Sequence, residues 1–180
     1  YQVTGMLVKS KVNFSNLLDQ VMPKINDVLS NQGENHKLTE FVSRYIHFQN
    51  ILDMGEMKFT SDYCKWAKKK GYRLNERKAA EILALAQNGI PTLPNSQSVK
   101  IAVSEAVKLI HSIEESRNTI LAQMQDLCNT LPEYSVVKEM DCIGDTLAPR
   151  IIAEIGDVRR FKNKHSLIAY AGIDAPPYQS

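Results

Sequence analysis

The chain has 180 residues, enough for one domain or for one small domain with an extended arm, and its 43% hydrophobic content supports a buried core and excludes wholesale disorder. No apolar run approaches the roughly 20 residues of a membrane span, and no cationic flank with an apolar stretch marks a secretory signal. Net charge is +2, from 22 basic and 20 acidic residues, and the three cysteines (Cys64, Cys128, Cys142) lack CxxC spacing, which argues against a disulfide scaffold or a zinc cluster and fits a reducing cytoplasm.

An all-α architecture is expected, since no alternating apolar run of four to eight residues stands out. Residues 3 to 29 read as a helix, with Phe14, Leu18, Val21, Ile25 and Val28 on one stripe. Pro23 lies inside it and should bend or break it, because proline removes a backbone donor. A polar turn is expected over residues 31 to 35, which lie outside the residues described below, and a second helix over 37 to 53. A short helix at 61 to 70 follows, with Thr60 or Ser61 as N-cap, Lys68, Lys69 and Lys70 at its C-terminal end, and Gly71 as its stop. The next helix has Asn75 as its candidate cap and closes at Asn88-Gly89, before a loop with Pro91 and Pro94.

The clearest element covers 97 to 131. Val103, Ala106, Ile110, Ile113, Arg117, Ile120, Met124, Leu127 and Leu131 alternate in steps of three and four, a heptad seam. A helix of this length spans roughly 50 Å and cannot bury its stripe alone. Its partner is either the 3-to-29 helix or a second copy of the chain, and self-association through this seam is expected. A bundle core helix is the plainer reading. The expected divisions are therefore a helical region at 1–96, a coiled-coil helix at 97–131, and a small helical subdomain at 132–180. Because the chain opens on Tyr1 and ends at Ser180 after Pro-Pro-Tyr-Gln, residues are expected to be missing at both ends.

Three features could carry chemistry. Lys65, Lys68, Lys69, Lys70, Arg73, Arg77 and Lys78 stand in one stretch against a single acid, Glu76, with Trp66 and Tyr72 interleaved. Cations neutralise phosphates and rings stack on bases, so this stretch reads either as nucleic-acid contact or as a solvated helix surface with one buried Trp. A second run holds Arg159, Arg160, Lys162 and Lys164, with His165, and it reads as a further nucleic-acid contact or as an exposed turn plugged by Phe161. Between them, residues 140–157 resemble a helix-hairpin-helix with Ile143-Gly144 as hairpin and Thr146 as N-cap. Cys142 stands where many such motifs have a second glycine, so a structural hairpin and a DNA-touching one both stay open. The four histidines (His36, His47, His111, His165) have no metal-ligand spacing and no catalytic acid cluster is visible, so no metal ligands and no cofactor are assigned to this chain.

The ordered pieces Ile143-Gly144, Glu154-Ile155-Gly156-Asp157, Arg160-Phe161, Ala169-Tyr170-Ala171-Gly172 and Tyr178-Gln179-Ser180 resemble the C-terminal transposase domain of the insertion-sequence transposases related to the Piv DNA invertase. The resemblance covers residues 131–180, and the stretch from Lys69 to Ala86 is similar, less specifically, to the same family's linker region. It implies a transposase that cuts and rejoins DNA, with a RuvC-like acidic domain upstream, a structured guide RNA, multimeric assembly and Mg²⁺. It implies that Ser180 is the nucleophile, although the glycine expected after it lies beyond this sequence. It also implies a bacterial, cytoplasmic, nucleoid-associated protein, and a chain inactive without its acidic domain. Two alternatives are a non-catalytic helical nucleic-acid-binding and assembly module, and a coiled-coil interaction protein with no nucleic-acid role.

Overall fold

The structure is a computed structural model that describes residues 2–30, 36–73 and 76–172. Among the described residues it has ten α-helices, one 3-10 turn and no strand, as the periodicity predicts. Two compact units form, Tyr1–Arg117 and Asn118–Ser180. The division falls inside the long helix set apart above.

In the first unit, α1 (Gln2–Val21) buries Leu7, Phe14, Leu18 and Val21. It stops just before Pro23, Lys24 takes a left-handed conformation (φ 63°), and α2 (Ile25–Val28) resumes, so the proline breaks the helix rather than bending it. The single helix expected over 37 to 53 is two: α3 (Lys37–Tyr45) and α4 (Phe48–Met54). Ile46 sits at φ 63° between them. The imidazole of His47 caps α4, its Nδ1 accepting from the Gln49 N–H at 3.0 Å. At the break the Tyr45 carbonyl accepts both from the His47 N–H at 2.7 Å and from the Asn50 amide at 2.8 Å.

α5 spans Glu56–Lys69 and starts five residues earlier than expected. Its N-cap is Gly55 at φ 75°, not Thr60 or Ser61. The reason is Phe59, fully buried and in step with Tyr63 and Trp66, which draws the preceding turn into the helix. α6 (Glu76–Asn88) packs against α2, α4 and α5; Asn75, its expected cap, lies outside the described residues. At its end Gly89 is required by close approach, since a Cβ there would stand 2.7 Å from the Leu85 carbonyl oxygen and 3.1 Å from Pro23.

α7 spans Gln97–Cys128. Over its first half, Val103, Val107, Ile110 and Ile113 are buried in the first unit's core together with Leu7, Phe14 and Phe41. Lys11 on α1 pairs with Glu114 at 2.7 Å, and His111 shares a 3.0 Å hydrogen bond with the Thr39 hydroxyl of α3. This half of the seam therefore closes within the chain.

In the second unit the rest of α7 is followed by α8 (Glu133–Lys138), α9 (Ala148–Ile155), the 3-10 turn Val158–Arg160 and α10 (Lys164–Tyr170). Its core is small: Cys128, Tyr134 and Ala148, flanked by Val137, Ile143 and Ile152. Beside it lies an apolar groove of about 700 Å³, lined by residues that include Met124, Leu127, Val136, Ile152 and Val158. The second half of the seam is exposed, with Leu127 69% accessible.

Candidate nucleic-acid interface

The basic stretch of 65–78 divides sharply once folded. Lys65, Lys68 and Lys69 stand exposed on α5, and Arg73 is exposed just beyond it. Lys70 is drawn to Glu40 at 2.9 Å. Lys78 donates to the Val28 carbonyl at 2.8 Å, and Arg77 faces Glu81 at 3.3 Å. Three of the seven cations are thus partly spent inside the first unit.

The rings do not share the exposed surface. Trp66 is only 7% exposed and packs among Phe41, Tyr63 and Tyr72, with ring centroids 6.0, 5.6 and 5.4 Å away. An indole held in a ring cluster contributes to stability and is not presented to a base. Tyr72 is half-buried, and its hydroxyl donates to Glu40 at 3.0 Å. Burial first, and that bond second, push its phenol up to about 12. The reading of this stretch as a helix surface with one buried Trp matches the placement of Trp66.

Asp62, an acid beside the stretch, has partners of its own. Asp62 accepts from Arg44 at 2.9 and 2.6 Å and from the Tyr45 hydroxyl at 2.8 Å. These bonds, Arg44's first, hold its carboxyl below the usual range. One cation not singled out from the sequence belongs with this face: Lys58 is exposed on α5, seven residues before Lys65. Its signal in the sequence is the seven-residue spacing to Lys65, and it lies outside the helix expected at 61 to 70.

In the second unit, Cys142 adopts φ 66°, the left-handed conformation that glycine supplies in related hairpins. Gly144 is exposed, and its carbonyl accepts from Leu147 and Ala148, both at 3.0 Å. Ile143 is half-buried against the small core, and its N–H is taken by the Met140 carbonyl at 3.1 Å. The N-cap of α9 is Leu147, not Thr146, because the turn at Gly144 already directs the chain into the helix. Asp145, next to the hairpin, is paired with Lys138 at 2.6 Å.

The second basic run is ordered by its neighbours. Arg159 makes a bidentate pair with Asp157, at 2.9 and 3.0 Å, while the same carboxylate caps the 3-10 turn through the Arg159 N–H. Arg160 lies over the rings of Phe161 and Tyr170, 4.8 and 4.6 Å from their centroids. Stacking of this kind fixes a guanidinium while leaving its N–H edge open to an anion. Lys162 and Lys164 are exposed. Ser180 lies outside the described residues.

Among the described residues no group of three or more His, Cys, Asp or Glu side chains is placed to hold a metal ion. His47 is a structural cap whose Nε2 lies 3.0 Å from the Leu93 carbonyl oxygen. Among the described residues no helix is long and apolar enough to cross a membrane.

The exposed cations described above stand on an all-α chain, and comparisons with known proteins add a family likeness. Residues 134–180 match the model of the transposase IS116/IS110/IS902 family. Over 164 residues the chain is 23% identical to a Streptomyces coelicolor protein described as the insertion element IS110 uncharacterized 43.6 kDa protein, covering 91% of this chain and 39% of that protein. The chain thus spans about two fifths of the length of that curated relative. No solved structure matches.

Proposed function

We propose that the chain is part of a DNA transposase of an insertion sequence, and that Ser180 is its nucleophile. The observation that carries the transposase reading is the family match over residues 134–180, which includes the run from Arg159 to Lys164; the role of Ser180 is what the resemblance to the family implies. In the proposed step the Ser180 oxygen attacks a phosphorus of the element-end DNA. A serine–phosphate bond forms, the bond to the departing strand breaks, and the serine proton is transferred to the departing oxygen. The covalent link conserves bond energy for rejoining. Mg²⁺ bound to an acidic domain would neutralise charge at that phosphate. Its ligands are those of the RuvC-like acidic domain that the resemblance implies for the whole protein. Arg160, Lys162 and Lys164 would hold the strand beside the serine. The exposed apolar residues Ile120 and Leu127 on the second half of α7, and Leu131 just beyond its end at Cys128, support self-association of the whole protein. DNA ends and a structured guide RNA are its proposed partners, in the bacterial cytoplasm at the nucleoid. The chain without the acidic domain is expected to be inactive.

The test uses the whole protein with element-end DNA, the element's noncoding RNA and Mg²⁺. A denaturation-resistant protein–DNA adduct is expected in the wild type and absent in Ser180→Ala. An adduct that survives in Ser180→Ala moves the nucleophile elsewhere. No adduct in either protein, with tight nucleic-acid binding intact, favours a second reading: a non-catalytic binding and oligomerisation module, which the exposed cations of α5 support by themselves.

A further inference from the structure

We infer that the exposed face of α5 grips the phosphate backbone of a nucleic-acid double helix, through Lys58, Lys65, Lys68 and Lys69. The inference rests on the nucleic-acid reading above and names the form of the ligand on this unit.

At 100° per residue, Lys58, Lys65 and Lys69 fall within one narrow stripe of α5, and Lys68 flanks it. The rise along the axis is about 10 Å from Lys58 to Lys65 and about 6 Å more to Lys69. The first interval approaches the roughly 12 Å width of the B-form major groove, whose rims are phosphates, and lysine stems supply the remaining reach. No ion pair joins any of the four lysines to another described residue. Asp62, the carboxylate nearest the stripe, is paired with Arg44 and bonded to Tyr45, so the Arg44 charge offsets its own.

The choice of duplex over single strand comes from the rings. Proteins that hold single strands combine cations with exposed aromatic side chains on which bases stack. Among the described residues of this unit there are eight Phe, Tyr or Trp side chains. Seven are buried, and the eighth, Tyr72, is half-buried with its hydroxyl on Glu40. The face therefore has point charges and no stacking platform. A duplex, whose bases are already stacked on one another, needs only the charges.

The experiment is fluorescence anisotropy on the Ser180→Ala chain with three labelled probes of equal length: a DNA duplex, an RNA duplex and a mixed-sequence single strand. Salt is titrated for each. At least one duplex is expected to bind at least tenfold tighter than the single strand, and the tighter of the two identifies the source of the duplex. Replacing all four lysines by alanine is expected to reduce the log–log salt slope on that duplex by about three to four units, since each lost phosphate contact removes about 0.9. Replacing all four by arginine keeps the slope and verifies that the face, not the fold, was changed. Equal or tighter binding of the single strand overturns the inference, and so does an unchanged slope in the alanine variant. The readout needs no strand chemistry, so a missing adduct leaves it standing, and an adduct with an unchanged slope defeats it alone.

Discussion

Arg44 and Asp62 meet through two hydrogen bonds, of 2.9 and 2.6 Å, and this pair joins α3 to α5 at the edge of the basic face. Tyr45 adds a third bond to the same carboxylate. The pair does two things at once. It ties α3 to α5, the helix of the lysines, and it sets the Arg44 charge against that of Asp62 beside the surface offered to phosphate.

Asp62→Asn is expected to lower stability by about 1 kcal/mol at neutral pH, the size of a partly exposed, charge-assisted contact. The carboxyl of Asp62 is held below its ordinary value in the folded chain. The unfolded state therefore binds the proton more readily as pH falls. This contribution is fully present above the unfolded value of about 3.9 and is lost as pH drops through the lower folded value. Urea unfolding followed by circular dichroism, from pH 7 to 3, should show the gap between wild type and Asp62→Asn narrowing below about pH 4.

The two halves of the heptad seam should respond differently to the same truncation. Ile110 is 1% exposed in the core of the first unit, and Ile110→Ala is expected to cost about 2–5 kcal/mol through lost burial and a residual cavity. Leu127 is 69% exposed, and Leu127→Ala is expected to change stability of the isolated chain by no more than about 0.5 kcal/mol. Sedimentation at high concentration checks the proposed self-association. Leu127→Ala combined with Leu131→Ala should weaken it, while leaving the thermal midpoint at low concentration nearly unchanged.

Cys142 holds φ 66° without being glycine. Cys142→Gly relieves that conformation but loosens the unfolded chain, so the net gain should be at most about 1 kcal/mol. Cys142→Val adds a β-branch in the same region and should cost about 1–2 kcal/mol. Thermal unfolding of the two variants, compared with wild type, reads the opposite signs. Equal shifts in both would mean that the hairpin changes its backbone to suit its residue.

Asp157 occupies the guanidinium of Arg159. Asp157→Asn should free that cation, and it also removes a carboxylate beside Arg160. Nucleic-acid affinity is expected to rise a few-fold, with the log–log salt slope steeper by about one unit. Double substitution with Arg159→Ala should return the slope to that of the wild type. A slope that does not move in Asp157→Asn places the nucleic acid away from this turn.

The helical class, the break at Pro23, the loop with Pro91 and Pro94, and the long helix after it were legible in the order of residues, because proline stereochemistry and a 3.6-residue period act locally. The break at Ile46 was not legible, since no proline or glycine marks it. It is made by a buried imidazole that caps α4 and also lies within hydrogen-bond reach of the distant Leu93 carbonyl. The basic stretch was equally visible as composition, but its division was not. Whether a lysine faces water or a glutamate thirty residues away, as Lys70 faces Glu40, depends on how α5 is turned against α3 and α6. The burial of Trp66 and the closing of only half the heptad seam were decided in the same way. An apolar stripe specifies that something must cover it, and tertiary packing alone selects what does, because burial is non-directional and rewards whichever apolar surface the fold brings near.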